Sequence, residues 1–102
     1  MISILIPTFN NLDYLKFTIE SIKKNSKLDN YEILLHINEG TDGTLEYAEK
    51  NDLSFTFSKE NIGLCSSINK VSKISKFDYL LYSHDDMYFC PNWDKYLMTE
   101  IK

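Results

Sequence analysis

The chain has 102 residues, of which 43% are hydrophobic and 25% charged, and its formal net charge is −4 at pH 7. This profile predicts one globular domain with a single core, and the acidic balance argues against a nucleic-acid-binding surface, which needs basic charge. No apolar run reaches the roughly 20 residues of a membrane span, and no signal peptide follows Met1, so we expect a cytoplasmic protein. Cys65 and Cys90 are too far apart for a zinc motif, and we expect both to be buried, reduced thiols.

The amino-terminal segment predicts a strand, a loop and a helix. Residues 2–6 form a nearly continuous apolar run, which is typical of a strand covered on both faces in a parallel sheet. Pro7 has no backbone N–H to donate, so we expect the strand to stop there. A polar loop follows, with Asn10 or Asn11 as the N-cap of the helix. Apolar residues then recur at helical spacing, at Leu12, Leu15, Ile19 and Ile22.

Two further pairs of strand and helix follow. The run 31–37 predicts a second strand, which opens into the turn-rich loop 38–44, where Thr41 or Asp42 can cap a short helix. A third strand is predicted over 53–57, where aromatic and hydroxyl side chains alternate. The third helix has four apolar residues on one face, Leu64, Ile68, Val71 and Ile74.

The last predicted strand ends in an acidic pair. Residues 77–82 form a short apolar run, and the adjacent carboxylates Asp85 and Asp86 follow it. Two such carboxylates repel each other and are costly to bury unless a divalent cation compensates them. The alternative is a solvated acidic turn. A terminal helix is predicted from Pro91, with apolar residues at Trp93, Leu97 and Ile101.

The order β-α-β-α-β-α-β-α indicates an α/β fold, a Rossmann-like and mostly parallel sheet with helices on both faces. All strand carboxyl ends then lie along one edge, so the loops 8–10, 38–41 and 84–86 become neighbours. If the fourth strand pairs beside the first, with strands 2 and 3 on the other side, a crevice opens between the first and fourth strands. We expect the functional site in that crevice.

Each loop has a functional and a purely structural interpretation. The loop after the first strand could hold a nucleoside or simply turn the chain. Glu39 could accept hydrogen bonds from a ribose or base, or lie exposed in a glycine-rich turn. Asn61 and Gly63 lie where the third helix begins, and a helix N-terminus can receive phosphate oxygens. The P-loop and GxGxxG fingerprints are both absent.

The histidines and the aromatic residues carry less information. His84 beside Asp85 is typical of metal phosphohydrolases, but that site needs further histidines, and the only other one is His36. We expect His36 in the core or at a sheet edge. Tyrosines and a phenylalanine near the fourth strand are expected to form core and wall, namely Tyr79, Tyr82, Tyr88 and Phe89. A response-regulator receiver is excluded, because its acidic pair follows the first strand.

Four motifs in order resemble those of family 2 glycosyltransferases of the GT-A fold, and the resemblance runs over nearly the whole chain. Residues 4–10 resemble the family's apolar run followed by Pro-Thr-Tyr-Asn, and residues 38–44 its Asp-Asp-Gly-Ser-Thr-Asp-Gly-Thr loop. Residues 61–63, with Asn69 following, resemble its Asn-x-Gly…Asn segment. Residues 84–86 are similar to its Asp-x-Asp metal motif, and Pro91-Asn92-Trp93 resembles the Pro-x-Trp that often follows.

The resemblance implies the nucleotide-sugar-binding half of such an enzyme, which takes a nucleotide-diphosphate sugar, with a UDP-sugar favoured, and Mg²⁺ or Mn²⁺. Asp86 and His84 would ligate the metal, and Asp85 would lie against the ribose or donor sugar. The other donor contacts would come from Pro7, Thr8, Phe9, Asn10, Glu39, Asn61 and Gly63. An acceptor hydroxyl would then attack the anomeric carbon, normally with inversion, assisted by a carboxylate base.

The chain also departs from the family pattern. His84 replaces the first aspartate of the metal motif, the second loop is one residue shorter with Asn38 where a carboxylate is usual, and Ile68 stands where many members have an arginine. Family members continue for roughly a further hundred residues. We therefore expect residues 1–102 to be a single donor-binding half without the acceptor site or general base, inactive or weak alone. The alternative is a noncatalytic nucleotide- or protein-binding module, and homo-oligomers are possible.

Overall fold

The computed structural model describes residues 2–26 and 31–95 of the chain. Strands and helices alternate through these residues in the predicted order. The elements are β1 (Ile2–Phe9), α1 (Leu12–Asn25), β2 (Tyr31–Asn38), α2 (Thr44–Lys50), β3 (Ser54–Ser58), α3 (Leu64–Ser72) and β4 (Tyr79–Tyr82). None of these helices has the length and apolar character that a membrane crossing requires.

The described strands form one parallel sheet in the order β3-β2-β1-β4. β1 lies inside the sheet, where Ile4 is the register partner of Ile33 on β2 and of Leu81 on β4. Because all strands run in the same direction, their carboxyl ends lie at one edge. The α/β fold class is confirmed, and so is the pairing of the fourth strand beside the first.

β1 continues past Pro7 to Phe9, so the prediction that Pro7 ends the strand is wrong. The Ser83 N–H donates to the Leu5 carbonyl at 3.0 Å, so the backbone polar groups of Leu5 face β4, and Pro7, two residues later, faces the same side. The register of β4 ends with Tyr82 opposite Leu5. No described strand lies beside Pro7 on that side, so its missing N–H leaves no ladder bond unmade.

The two faces of the sheet are covered unequally. On one face, α1 and α2 pack on the sheet in a large core of Ile2, Ile4, Ile6, Leu15, Ile19, Ile22, Ile33, Leu35, Ile37, Ala48 and Phe89. On the other face, α3 covers a small cluster of Leu5, Leu34 and Val71, with Ile68 packed against it. Since each buried aliphatic side chain contributes about 1.5–3 kcal/mol, the α1 face supplies most of the hydrophobic stabilisation.

The limited cover by α3 leaves residues exposed that the sequence predicted to be buried. Leu64 is 53% exposed, and Ile74 lies beyond the end of the helix and is also exposed. Cys65 and Cys90 are exposed, so the expectation of two buried thiols is wrong. Cys65 lies in the first turn of α3, next to Leu64, where the helix extends past the small cluster. Cys65 would be buried only if α3 covered more of the sheet.

The aromatic residues around β4 divide between core and surface. Phe89 is buried, as expected, and its ring lies edge-on to Trp93 with centroids 4.9 Å apart. Tyr79, Tyr82 and Tyr88 are exposed rather than in the core. Tyr79 and Tyr82 lie on β4, which is an edge strand, and Tyr82 forms part of a crevice wall, as expected. Trp93 is half-buried, and its Nε1 donates to Ser26 Oγ at 3.0 Å. Leu97 and Ile101 of the predicted terminal helix lie outside the described residues.

Candidate functional site

A crevice of about 460 Å³ opens at the carboxyl edge of the sheet, between the ends of β1 and β4 and the start of α3. It is lined by Pro7, Thr8, Phe9, Asn10, Asn11, Asn38, Asn61, Gly63, Leu64, Ser67, Tyr82, His84 and Asp85. Most of these residues are polar and uncharged. Asp85 is the only carboxylate in this lining, and the lining contains no lysine or arginine.

Two hydrogen bonds join the loop after β1 to the loop after β2. Asn10 has a left-handed backbone, with φ 46°, and its Oδ1 accepts from the Thr41 N–H at 3.0 Å. In the opposite direction, Asp42 Oδ2 accepts from the Leu12 N–H at 3.0 Å, so the start of α1 is capped from the other loop. The prediction that Asn10 or Asn11 caps α1 is therefore wrong, since Asn11 occupies the N-cap position without a side-chain bond.

Asp42 also caps α2, as predicted. Its Oδ1 accepts from the Thr44 N–H at 3.2 Å and from the Thr44 hydroxyl at 2.5 Å. Burial by itself would raise the pKa of Asp42, but the hydrogen bonds from Thr44 and Leu12 outweigh it and lower the pKa below its ordinary value. The ionised carboxylate of Asp42 thus fixes the starts of both helices at this edge of the sheet.

Asn38 lies at the end of β2, is 4% exposed, and contacts four polar groups. Its Nδ2 donates to Ser67 Oγ at 3.1 Å and to the Thr8 carbonyl at 3.4 Å. Its Oδ1 accepts from the Ile62 N–H at 3.1 Å and lies 3.0 Å from Ser58 Oγ. These partners belong to α3, β1, β3 and the loop before α3. One buried amide therefore joins four segments at the base of the crevice.

His36 is completely buried on β2, as expected for a core residue. Its Nδ1 lies 2.7 Å from Thr56 Oγ1, and its Nε2 lies 3.1 Å from Ser58 Oγ. Burial, followed by the positive charge of Lys70, lowers the pKa of His36, although a hydrogen bond with Asn38 opposes this shift. The neutral imidazole extends the polar network of Asn38 into the sheet.

The loop after β4 carries the acidic pair. Asp85 Oδ2 accepts from the Thr8 hydroxyl at 2.8 Å, which joins this loop to the end of β1. His84 is exposed, and its Nδ1 lies 2.9 Å from the Tyr82 hydroxyl oxygen. Burial, followed by the charges of Asp85 and Asp86, raises the pKa of Tyr82, so its hydroxyl stays protonated and can donate to His84. Asp86 is exposed in the turn that follows.

The structure brings most of the predicted site residues together. Pro7, Thr8, Phe9, Asn10, Asn61, Gly63, His84 and Asp85 all line the crevice. Glu39 and Asp86 do not line it. Glu39 is half-buried with a left-handed backbone, φ 65°, and its N–H donates to the Ser58 carbonyl at 2.9 Å. The ligand contacts of all these residues stay predictions.

Three lining residues were not predicted, namely Asn11, Leu64 and Ser67. Asn38 and Tyr82 also line the crevice, although the sequence placed them there only as part of the loop 38–41 and as a residue of core or wall. A serine inside a helix gives no signal of its own. The position of Ser67 could have been inferred from its spacing, because Ser67 lies four residues after Gly63 and therefore on the same side of the helix. Tyr82 could have been inferred from its place at the carboxyl end of the last strand.

Comparison with known proteins identifies the fold and the family. The glycosyl transferase family 2 model matches residues 3–102. An uncharacterized glycosyltransferase of Rickettsia typhi is 34% identical over 95 residues, a match that covers 90% of this chain and 29% of that protein. The chain thus spans less than a third of the length of this curated relative.

Two solved structures have the same fold. The crystal structure of S. aureus TarS 1-349 in complex with UDP matches with a TM-score of 0.86 and 22% identity, over 98% of this chain and 31% of that one. The mannosyltransferase PcManGT from Pyrobaculum calidifontis, in complex with GDP-Man and Mn²⁺, matches with a TM-score of 0.76 and 18% identity, over 93% and 30%. The parallel sheet flanked by helices is thus that of GT-A glycosyltransferases.

Proposed function

This chain belongs to glycosyl transferase family 2, and from that premise we propose that its crevice binds a nucleotide-diphosphate sugar together with a divalent cation, for transfer of the sugar to an acceptor hydroxyl. A UDP-sugar is the favoured donor. TarS, which was solved with UDP, supports this choice by its similarity to the described chain. The GDP-Man complex of PcManGT makes a GDP-sugar the second donor to test.

The charge of the crevice carries the proposal. A nucleotide diphosphate is an anion, yet its proposed site has no lysine or arginine in its lining and has the carboxylate of Asp85. Placing the diphosphate there without a counter-charge would be unfavourable, because like charges repel strongly in a partly desolvated site. A divalent cation held between Asp85 or Asp86 and the diphosphate would turn this repulsion into attraction.

The donor atoms after β4 fit Mg²⁺ or Mn²⁺. Both cations prefer oxygen ligands, and Mg²⁺ is usually held by one or two carboxylates together with substrate phosphates and water. Within residues 2–26 and 31–95, no group of three or more His, Cys, Asp or Glu side chains could hold a metal without such help. We assign the protein ligands to Asp86 and His84, with Asp85 beside them. When bound, the cation would offset the charge that grows on the departing diphosphate.

The other lining residues suit the nucleotide. Phe9 is 46% exposed at the crevice, and its ring offers a face on which a base can stack. Asn61 and Gly63 precede α3, whose first N–H groups are available to oxygen acceptors. Thr8 and Asn10 supply polar groups along the β1 side. Pro7 precedes Thr8 within β1, and Glu39 is proposed for the ribose or base from the β2 side.

We assign donor binding, rather than complete transfer, to residues 1–102. Asp85 is the only carboxylate in the lining and is proposed to face the donor. Transfer also needs a general base for the acceptor hydroxyl, and the lining offers no second carboxylate for that role. In the longer relatives, the acceptor site and the base would therefore lie outside the part that matches this chain. Residues 1–102 alone would transfer little or no sugar.

Isothermal titration calorimetry tests the proposal. UDP, and then GDP, would be titrated into the protein with Mn²⁺ and again with excess EDTA. We expect the wild type to bind UDP only with Mn²⁺, and Asp86→Asn to weaken that binding about tenfold or more, because one metal ligand loses its charge. Asp52→Asn is the matched control, since Asp52 is exposed at the opposite edge of the sheet and its φ of 54° suits asparagine.

The outcomes separate the parts of the proposal. Equal binding with EDTA and with Mn²⁺ would contradict the cation, while leaving the nucleotide site. Failure of the folded wild type to bind either nucleotide under any condition would contradict the donor site. The chain would then be a noncatalytic α/β module built on the same scaffold.

A further inference from the structure

We propose that Asn38 is a positioning residue of the crevice, and that it must be an amide rather than a carboxylate. The effect on nucleotide binding rests on the proposed function. The side chain of Asn38 is bonded internally, so it acts on a ligand through the residues that it holds. Those residues are the segment 61–63 and Ser67, which form the α3 wall of the crevice.

The neighbours of the carboxamide identify its two ends. Oδ1 faces two donors, the Ile62 N–H at 3.1 Å and the Ser58 hydroxyl at 3.0 Å. Nδ2 faces two oxygens, Ser67 Oγ at 3.1 Å and the Thr8 carbonyl at 3.4 Å. The Ser58 hydroxyl has a single hydrogen and also lies 2.7 Å from the Glu60 carbonyl, so the Ile62 N–H is the donor that Oδ1 always has. The amide therefore uses both of its N–H groups and accepts at its oxygen. No other uncharged side chain of this size offers that combination.

Ser67 carries the effect of Asn38 to the start of α3. Ser67 is completely buried, and its hydroxyl donates to the Gly63 carbonyl at 2.5 Å. Its single hydrogen is thus committed, and its Oγ is left as the acceptor for Asn38. The Asn38 amide, the Ser67 hydroxyl and the Gly63 carbonyl therefore form a directed chain.

Packing contributes little to holding this wall. Gly63 has φ 84°, and no atom lies within 4 Å of the position that a Cβ on it would occupy. The residues on either side are partly exposed, Ile62 by 37% and Leu64 by 53%. Hydrogen bonds, rather than apolar contacts, therefore hold the segment. The Ile62 N–H bond to Asn38 and the Ser67 hydroxyl bond to Gly63 are half-buried, whereas the Gly63 N–H bond to Asn61 is exposed.

A carboxylate at position 38 would place an oxygen where Nδ2 lies now. That oxygen would face Ser67 Oγ and the Thr8 carbonyl with no hydrogen between them. Ser67 could relieve the repulsion by turning its hydrogen to residue 38, but the Gly63 carbonyl would then lose one of its two donors and keep only the Ser67 backbone N–H. The Thr8 carbonyl would still face a negative charge, and Thr8 also holds Asp85. Both walls of the crevice would be disturbed.

The test compares Asn38→Asp with Asn51→Asp. Asn51 is exposed at the end of α2, and its Nδ2 donates to the Tyr47 carbonyl at 2.8 Å, so the control variant also loses a donor bond. Mn²⁺-dependent UDP affinity would be measured by calorimetry, and exchange of the Ile62 backbone amide by NMR. We expect Asn38→Asp to lose about tenfold or more in affinity. We also expect it to speed Ile62 exchange, because the carboxylate, repelled by Ser67 Oγ and the Thr8 carbonyl, would move away from the Ile62 N–H; Asn51→Asp should do neither.

Ser67→Ala provides a second variant if Asn38→Asp does not fold. It removes one partner of the amide and keeps the bond to Ile62, so we expect a smaller loss of UDP affinity, about threefold, with Ile62 exchange unchanged. Wild-type UDP affinity in folded Asn38→Asp, or in Ser67→Ala if the former is unfolded, would overturn the positioning role and leave the proposed function intact. Failure of the wild type to bind UDP or GDP would overturn the proposed function, and with it the claim about nucleotide binding.

Discussion

The two sides of the crevice are built in different ways. On the β2 side, three side chains bond to backbone groups of neighbouring segments: Asn38, which is buried, Asn10, which is half-buried, and Asp42, which is exposed. On the β4 side, the carboxylate of Asp85 accepts from the buried Thr8 hydroxyl, and the side chain of His84 lies against the Tyr82 hydroxyl. Asp86, which we propose as a metal ligand, is exposed beside them.

This difference indicates that the two sides of the crevice have different roles. Bonds from side chain to backbone hold the main chain, so the β2 side is preformed and a nucleotide could bind it without ordering it first. On the β4 side, Asp86 is exposed and Asp85 is half-buried, and the bond to Asp85 fixes a side-chain rotamer rather than the main chain, so these carboxylates can turn toward a cation. Substitutions on the β2 side should therefore cost stability, and those on the β4 side should cost cation-dependent binding.

The largest loss of stability is expected for Gly40→Ala. Gly40 has φ 68°, and a Cβ there would lie 2.7 Å from Ile37 Cγ2 in the larger core. The left-handed backbone and the overpacking together should cost about 3 kcal/mol, measured by urea unfolding. Gly43→Ala is the control, because Gly43 also has a positive φ, of 99°, but a Cβ would meet Leu12 Cδ2 at an ordinary 3.4 Å. Equal losses in both variants would contradict the steric part of this argument.

Asp42→Ala should lower the free energy of unfolding by about 2 kcal/mol, because three capping hydrogen bonds at two helices are lost. Asp42→Asn keeps an acceptor oxygen and should lose less. Both can be measured by urea unfolding at neutral pH. A loss below about 0.5 kcal/mol in Asp42→Ala would contradict the claim that the hydrogen bonds of Asp42 stabilise the β2 side.

The third prediction concerns pH, since the pKa of His36 is lower in the folded protein than in the unfolded chain. Below its ordinary value of about 6.5, the unfolded chain takes up a proton that the folded protein resists. The contribution of His36 is therefore complete above pH 6.5 and declines as the pH falls toward its folded pKa, by at most about 1.4 kcal/mol per pH unit. Urea unfolding between pH 5 and pH 8 should show this decline in the wild type and in His84→Gln. If the decline in stability persists in His36→Gln, it arises from other titratable groups.

The smallest effect on stability is expected for Asp86→Asn, within about 0.5 kcal/mol, because Asp86 is exposed in a turn. The same variant should lose Mn²⁺-dependent UDP binding, so it separates stability from binding most sharply. Thermal unfolding without nucleotide, compared with Asp42→Asn, checks the first half of this statement. A loss of stability as large as that of Asp42→Ala would remove the contrast between the two sides.

The fold and the position of the crevice could be predicted from the sequence because they follow from short-range patterns. Apolar runs and helical spacing mark each element, and strict alternation of strand and helix puts all carboxyl ends at one edge. Because strands 2 and 3 lie on one side of β1 and strand 4 lies on the other, the crevice opens between β1 and β4. Motifs in the loops at that edge drew attention to Thr8, Asn61 and Asp85 before their positions were known.

The errors arose where a distant residue decides the outcome. Asn11 has the right residue type for an N-cap, but Asp42, 30 residues later, takes the Leu12 N–H instead. Cys65 is apolar enough to be buried, but its burial depends on how much of the sheet α3 covers. Asn38 was expected in the loop 38–41 and as a departure from a motif, but its bonds could not be predicted, because they depend on four groups from separate segments.

The strand order also has a consequence for how the protein folds. β1 pairs with β2 through partners such as Ser3 and Glu32, which are 29 residues apart, whereas Thr8 and Asp85 are 77 residues apart. A contact between residues that are far apart in the chain costs more chain entropy to form. We therefore expect β4 to dock after β1, β2 and β3 have assembled. During synthesis the amino-terminal strands emerge first, and the acidic pair would arrive after them, beside a β2 side that is already in place.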